Sequence, residues 1–439
     1  MKIPSQYVKL RLNLSELRTI VNSDTADRRS NKTWRIEMNQ RILIVGGGFA
    51  GMWSALGAAR VLHEQGKADN VEVALISPEP VLHLRPRLHE AQPHAMSTPL
   101  LPVLQAAGVR YIQGAVTRIQ RDEKVVDAVD ADGASFTIEY DRLVLGTGSK
   151  LHRPDLPGVR EHAFSIDQLD EASALDLHLQ RLADRPASAA RNTVVVVGGG
   201  FTGIELACEL PERLRKVFGE EAPVHVIIVE RNPEIGPDLG PGPRPMINEA
   251  LDALGVERRL GDGVAQVDKD GLVTASGKRI DALTVVWTGG MRAHALADQL
   301  SSDKDALGRI KVSRDLRVAG APGVFAAGDV AHAATDDQGN FSMMACQHAM
   351  DMGRYAGHNV AADLLGTQTL DYQQPFYVTC LDLGAWGAMY SEGWDRQIKM
   401  SPAEAKVLKR RINTEWIYPP LASRSATLAA ADPSRSVVA

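Results

Sequence analysis

A chain of 439 residues, 44% hydrophobic and 23% charged, has the composition of a globular protein of two or three domains. Its formal net charge of −5 supplies no basic field for nucleic acid, and no run of about 18 apolar residues offers a membrane span. Cys208, Cys346 and Cys380 lie too far apart in sequence for a disulfide framework. With no apolar signal core at the start, they point to reduced thiols in the cytoplasm.

Residues 1–38 are polar and weakly periodic. They are expected to form a poorly ordered extension, with a helix around residues 12–21 as the rival expectation. The strand RILIV then runs into Gly46-Gly47-Gly48-Phe49-Ala50-Gly51 and a segment of helical spacing. This is GxGxxG after a strand. The first glycine allows the tight turn, the second lets backbone approach a pyrophosphate, and the third lets helix and strand pack closely. The next strand (71–77) ends at Ser77 where an acid usually bonds a ribose; Glu79 stands two residues on, either as a ribose ligand or as a solvated loop acid. Arg85, fixed before Pro86, is suited to a pyrophosphate. Residues 109–145, including Val116, alternate as strands with a hairpin turn at 130–133, and a glycine-rich turn carries Thr147 and Gly148.

A helical stretch (165–192) precedes a second copy of the fingerprint. TVVVV runs into Gly198-Gly199-Gly200-Phe201-Thr202-Gly203, and the following strand ends in Glu230. A carboxylate there reads a ribose 2′-hydroxyl and repels a 2′-phosphate, so NADH is favoured over NADPH. VVWTGG (285–290) carries Gly289, and VFAAGD ends in Gly328 and Asp329, placed to bond a ribitol hydroxyl. A helix (343–365), strands near 376–390, a helix near 402–413 and a disordered tail (421–439) complete the expectation. In the last helix Ser401 and Glu404 form a capping box. Leu408, Ile412 and Trp416 make an apolar stripe flanked by Lys406, Lys409, Arg410 and Arg411. Such a helix either lies weakly on an anionic membrane surface or packs on a domain or a second copy of the chain.

Two such folds, an LGTGS turn between them and a late AAGDV resemble the two-dinucleotide flavoprotein reductases, and within them the type II NADH dehydrogenases. The resemblance rests on GGGFTGIELACEL (198–210), VVWTGGMRAHALADQL (285–300) and the 308–331 segment. It implies an α/β fold with two Rossmann-like domains: an FAD domain (39–158 and 296–370), an inserted NAD domain (159–295), and a small α+β C-terminal domain (371–420). It implies FAD on Gly46, Gly48, Phe49, Ala50, Gly51, Ser77, Glu79, Arg85, Val116, Thr147, Gly148, Gly328, Asp329 and Gln347. NADH falls on Gly198, Gly200, Phe201, Thr202, Gly203, Glu205, Glu230 and Gly289, and no metal is called for.

Hydride passes from NADH to flavin and then to a small-molecule acceptor, a quinone or something like it. The resemblance gives Glu205 a role in proton delivery beside the nicotinamide, and Gln347 a place on the acceptor side. The family's Ala-Gln-x-Ala-x-Gln pattern reads here Cys346-Gln347-His348-Ala349-Met350-Asp351, so the second glutamine is Asp351. A carboxylate there would oppose a reduced quinone anion or, with a raised pKa, donate a proton. His348 is either a proton shuttle or a packed side chain. Met343, Met344, Met350 and Met352 either line a pocket or fill the core. A Cys346–Cys380 redox pair competes with two inert thiols. The family's apolar C-terminal anchor is missing, so the expected location is cytoplasmic, at most peripheral at the inner face of the membrane, with a homodimer an open expectation. Two rival readings stand: a soluble flavoenzyme acting on an aromatic small molecule, and an NADH-sensing flavoprotein similar to apoptosis-inducing factor.

Overall fold

The computed structural model describes residues 40–435; the N-terminal extension and the last four residues lie outside the described part. The β-branched runs form parallel strands buried on both faces, as parallel sheets require. Strand Gln40–Val45 is central in a five-stranded parallel sheet whose order is 324–326, 142–145, 40–45, 71–77, 110–113. Thr193–Val197 is central in a four-stranded parallel sheet ordered 256–260, 225–230, 193–197, 284–287. In both sheets the fingerprint loop leaves an inner strand, with neighbours on either side. That is the topological switch point where open α/β sheets hold ligands.

The segment carrying the second sheet is inserted in the first. It is entered and left through Ser149–Leu151 and Met291–Ala293, which pair antiparallel with each other. Strand Val324–Ala326 then returns to the edge of the first sheet. Helix Cys346–Leu365 lies along the first fingerprint helix, Phe49–Glu64. Glycine makes that contact possible, since a Cβ on Gly357 would sit 2.2 Å from the Ser54 carbonyl oxygen. An antiparallel sheet (378–382, 388–392, 397–398) and helix Pro402–Arg411 form a third unit. Among the described residues no helix is long and apolar enough to cross a membrane.

The C-terminus differs from expectation. In place of a disordered tail over 421–439, Arg424–Ala430 is a helix capped by Ser423. It packs on the first fingerprint helix, buries Thr427 and Leu428, and offers its Ala430 carbonyl to Arg354 Nε at 3.0 Å. Asp432 beyond it pairs with Arg60 at 3.0 Å. The alanine-rich segment has good helix propensity and a proper cap; only Leu428 and its small neighbours mark the inward face.

Candidate active site

A cavity of about 2040 Å³ opens between the loop ends of the two parallel sheets and the C-terminal unit. Each fingerprint contributes a helix N-terminus without a side-chain cap, after Gly48 and after Gly200. An added Cβ at Gly48 or Gly200 would meet no atom within 4 Å. At Gly51 it would lie 1.8 Å from the Gly46 carbonyl oxygen, and at Gly203 it would lie 1.9 Å from that of Gly198. The middle glycine thus leaves open space for a phosphate while the last one closes helix on strand. Free N–H groups and the positive end of the helix dipole suit an anion there. Thr147 Oγ1 and Gln347 Nε2 border the same cavity, buried and without a protein partner. The residues present fit two dinucleotides.

Of the residues singled out from sequence, Gly46, Gly48, Phe49, Ala50, Ser77, Glu79, Arg85, Val116, Thr147, Gly148, Asp329 and Gln347 line the cavity on the first sheet's side. Gly198, Gly200, Phe201, Thr202, Glu205, Glu230 and Gly289 line it on the second's. Gly51, Gly203 and Gly328 do not: they are packing glycines, and a Cβ on Gly328 would stand 2.7 Å from that of Ala50. Ser77 Oγ donates to the Glu79 carbonyl at 2.8 Å, so its proton is already used. Arg85 is not a free guanidinium. It pairs with Asp167 at 2.5 Å, bonds Ser149 at 3.3 Å and stands 3.6 Å from Asp329. Glu230 is buried, accepting from the Gly199 N–H at 2.6 Å and the Asn232 N–H at 2.8 Å.

Glu205 is 4% exposed. Its Oε1 accepts from Lys409 Nζ at 2.8 Å and from the Asp382 N–H at 2.9 Å, and its Oε2 faces His89 Nδ1 at 3.6 Å. One carboxylate therefore joins the second fingerprint helix, the C-terminal helix and the loop after Arg85. Burial opposes the Lys409 charge, but the Glu205 carboxylate more than offsets it and the ammonium is held above its ordinary range. Lys409 also corrects the expectation for the C-terminal helix. Ala405, Lys409 and Asn413 form an inward stripe, Lys406 pairs with Asp382 at 2.5 Å, and Leu408, Ile412 and Trp416 line the cavity. The stripe of Leu408, Ile412 and Trp416 is half-buried at the cavity edge. His89 and Lys409 were not singled out from sequence as site residues. The four-residue spacing of 405, 409 and 413 is the signal that finds the lysine; His89 stands in no periodic pattern.

On the acceptor side Met343 and Met344 line the cavity, whereas Met350 and Met352 are core residues. Asp351, at the second glutamine position, lies outside the cavity lining and pairs with Arg354 at 2.5 Å, whose guanidinium lies over Trp53. It therefore neither repels nor protonates an acceptor. Cys346 and Cys380 both border the cavity, but burial pushes each thiol up to about 11, which leaves little thiolate at neutral pH. Cys208 is packed in its helix.

His348 is packed, not a shuttle. It is fully buried, 3.3 Å from Tyr372 Oη and stacked on Tyr377, and burial pulls its pKa down to about 4. The unfolded chain thus binds a proton between about pH 6.5 and 4 that the folded chain refuses. Stability should fall as pH drops through that window, by roughly 3 kcal/mol in the limit. Urea midpoints measured from pH 7 to 4 should flatten in His348→Gln relative to wild type; parallel slopes would refute the assignment.

Residues 40–353 match the family of pyridine nucleotide-disulphide oxidoreductases. The chain belongs to that family. This oxidoreductase is 48% identical over 397 residues to an NADH dehydrogenase-like protein of Mycobacterium tuberculosis, covering 90% of this chain and 98% of that one. It is 28% identical to a type II NADH:quinone oxidoreductase of Staphylococcus saprophyticus, over 86% and 95% of the two chains. Its fold superposes on the Plasmodium falciparum NDH2 determined with NADH at a TM-score of 0.70 and 15% identity, over 89% and 97% of the chains. The oxidoreductase is thus an NADH dehydrogenase-like enzyme of mixed α/β fold.

Proposed function

We propose that the enzyme is an FAD-dependent NADH dehydrogenase that hands the electron pair to a quinone. The observation that carries this reading is Glu205, a buried carboxylate shared by the nicotinamide-side helix, Lys409 and His89 in one cavity. FAD, when bound, accepts hydride from NADH and releases the pair to the acceptor. The Gly46–Gly51 loop and Thr147 would hold it, with Asp329, steered by Ser149 at 2.6 Å, beside its ribitol. Glu230, pinned by the Gly199 and Asn232 N–H groups, keeps a fixed negative charge at the adenosine end and supports NADH over NADPH. Glu205 and Lys409 would hold a proton at the cavity wall near the second fingerprint, and Gln347 Nε2 would offer a donor to an acceptor oxygen.

Anaerobic stopped-flow with NADH and then a soluble naphthoquinone tests this reading. Flavin colour should bleach with NADH, more slowly with NADPH, and return with the quinone. Bleaching without quinone-driven return would overturn the acceptor assignment.

A further inference from the structure

Among the buried polar atoms without a protein partner on cavity-lining residues are His89 Nε2 and Asn413 Oδ1. Their residues are 3% and 5% exposed and both border the cavity. They come from separate elements: His89 follows the Arg85–Arg87 turn, and Asn413 lies in the π-helical turn Ile412–Trp416. Asn413 Nδ2 donates to Glu90 Oε1 at 3.1 Å and so ties the two elements together. A buried polar atom without a partner marks a missing one.

The chemistry of the missing partner follows from hydrogen bookkeeping. Asn413 spends its donor on a carboxylate and is left with a bare carbonyl oxygen. His89 Nδ1 faces the Glu205 carboxylate at 3.6 Å, so Nε2 is the ring nitrogen left for a ligand. Arg213 Nη1 holds the His89 carbonyl at 2.9 Å and so fixes the loop. A bare carbonyl oxygen requires a donor, and a hydroxyl supplies one while serving the ring nitrogen in either role. Leu408, Ile412 and Trp416 border the same cavity and favour an apolar ring.

We propose that His89 and Asn413 form a hydroxyl-recognition subsite that takes an aromatic alcohol, either a ring hydroxyl of the acceptor or the hydroxyl that reduction creates on it. The proposal rests on the quinone-reductase reading of the site. The subsite is a positioning and specificity element: it makes the cavity prefer a hydroxylated ring over the same ring without a donor.

The test is binding to the FAD-loaded protein of 2-naphthol against 2-methoxynaphthalene, which has the same ring and no donor, followed by quenching of their fluorescence. The naphthol should bind about tenfold more tightly, the size of a desolvated hydrogen bond. His89→Phe and Asn413→Leu should each cut that preference to about threefold or less without weakening the methoxy compound, and His89→Gln should restore part of it. Equal affinities in wild type, or a preference that survives Asn413→Leu, would overturn the proposal even if His89→Phe fails to fold. Flavin bleaching by NADH is read on the same samples. Its failure would remove the quinone-reductase reading while the hydroxyl preference still stood.

Discussion

Gly51→Ala should purify colourless, whereas Gly203→Ala should stay yellow and lose NADH. In the first fingerprint the new Cβ would overlap the Gly46 carbonyl at 1.8 Å, and in the second it would overlap that of Gly198 at 1.9 Å. Neither contact can be relieved by a rotamer change, because both partners are backbone. The helix must swing off its strand, at a cost of at least 1–3 kcal/mol by analogy with overpacked cores, and the phosphate cradle opens with it. The two cradles lie in separate sheets, so the damage should stay local. Visible absorbance after purification reads the first, and NADH titration of flavin reduction reads the second. A yellow Gly51→Ala protein would refute the placement of flavin on the first fold.

Lys409→Met should destabilise the protein by about 3–5 kcal/mol, as expected when one member of a buried ion pair is removed and the other is left alone. Glu205 would keep the Asp382 N–H and lose the Lys409 ammonium at 2.8 Å. The double variant Glu205→Gln/Lys409→Met should recover most of that loss, because no unpaired charge remains. Urea unfolding of the four proteins closes the cycle, and additive effects would show that the pair is not coupled. Kinetics separates structure from chemistry. The double variant should fold well yet reoxidise slowly with quinone; wild-type rates of flavin reduction and reoxidation would take Glu205 out of the mechanism.

The phosphate cradles are legible in sequence because two independent signals coincide there. A β-branched run sets the strand, and GxGxxG directly behind it supplies the turn, the phosphate approach and the close helix contact together. Glu205 is legible only through its motif context. Lys409 is hidden in the basic run 406–411, where charge reads as a solvated face; only the spacing to Ala405 and Asn413 shows that one lysine turns inward. Asp351 illustrates the opposite error: a motif position implies contact with the acceptor, but the Arg354 pair takes the side chain away. His89 comes from a loop brought to Glu205 by tertiary packing, which no local pattern encodes.

The two-stranded pairing of Ser149–Leu151 with Met291–Ala293 has a consequence of its own. Everything between those strands leaves and rejoins the chain path at one narrow neck, while the Glu205–Lys409 and Arg85–Asp167 pairs and the Arg213 bond to the His89 carbonyl tie it across the cavity. A short linker from residue 149 to residue 293 would spare all five strands of the first sheet. Exchange of that segment offers a route to altered coenzyme choice provided that Asp167, Glu205 and Arg213 are kept, because Arg85, Lys409 and His89 are held by them.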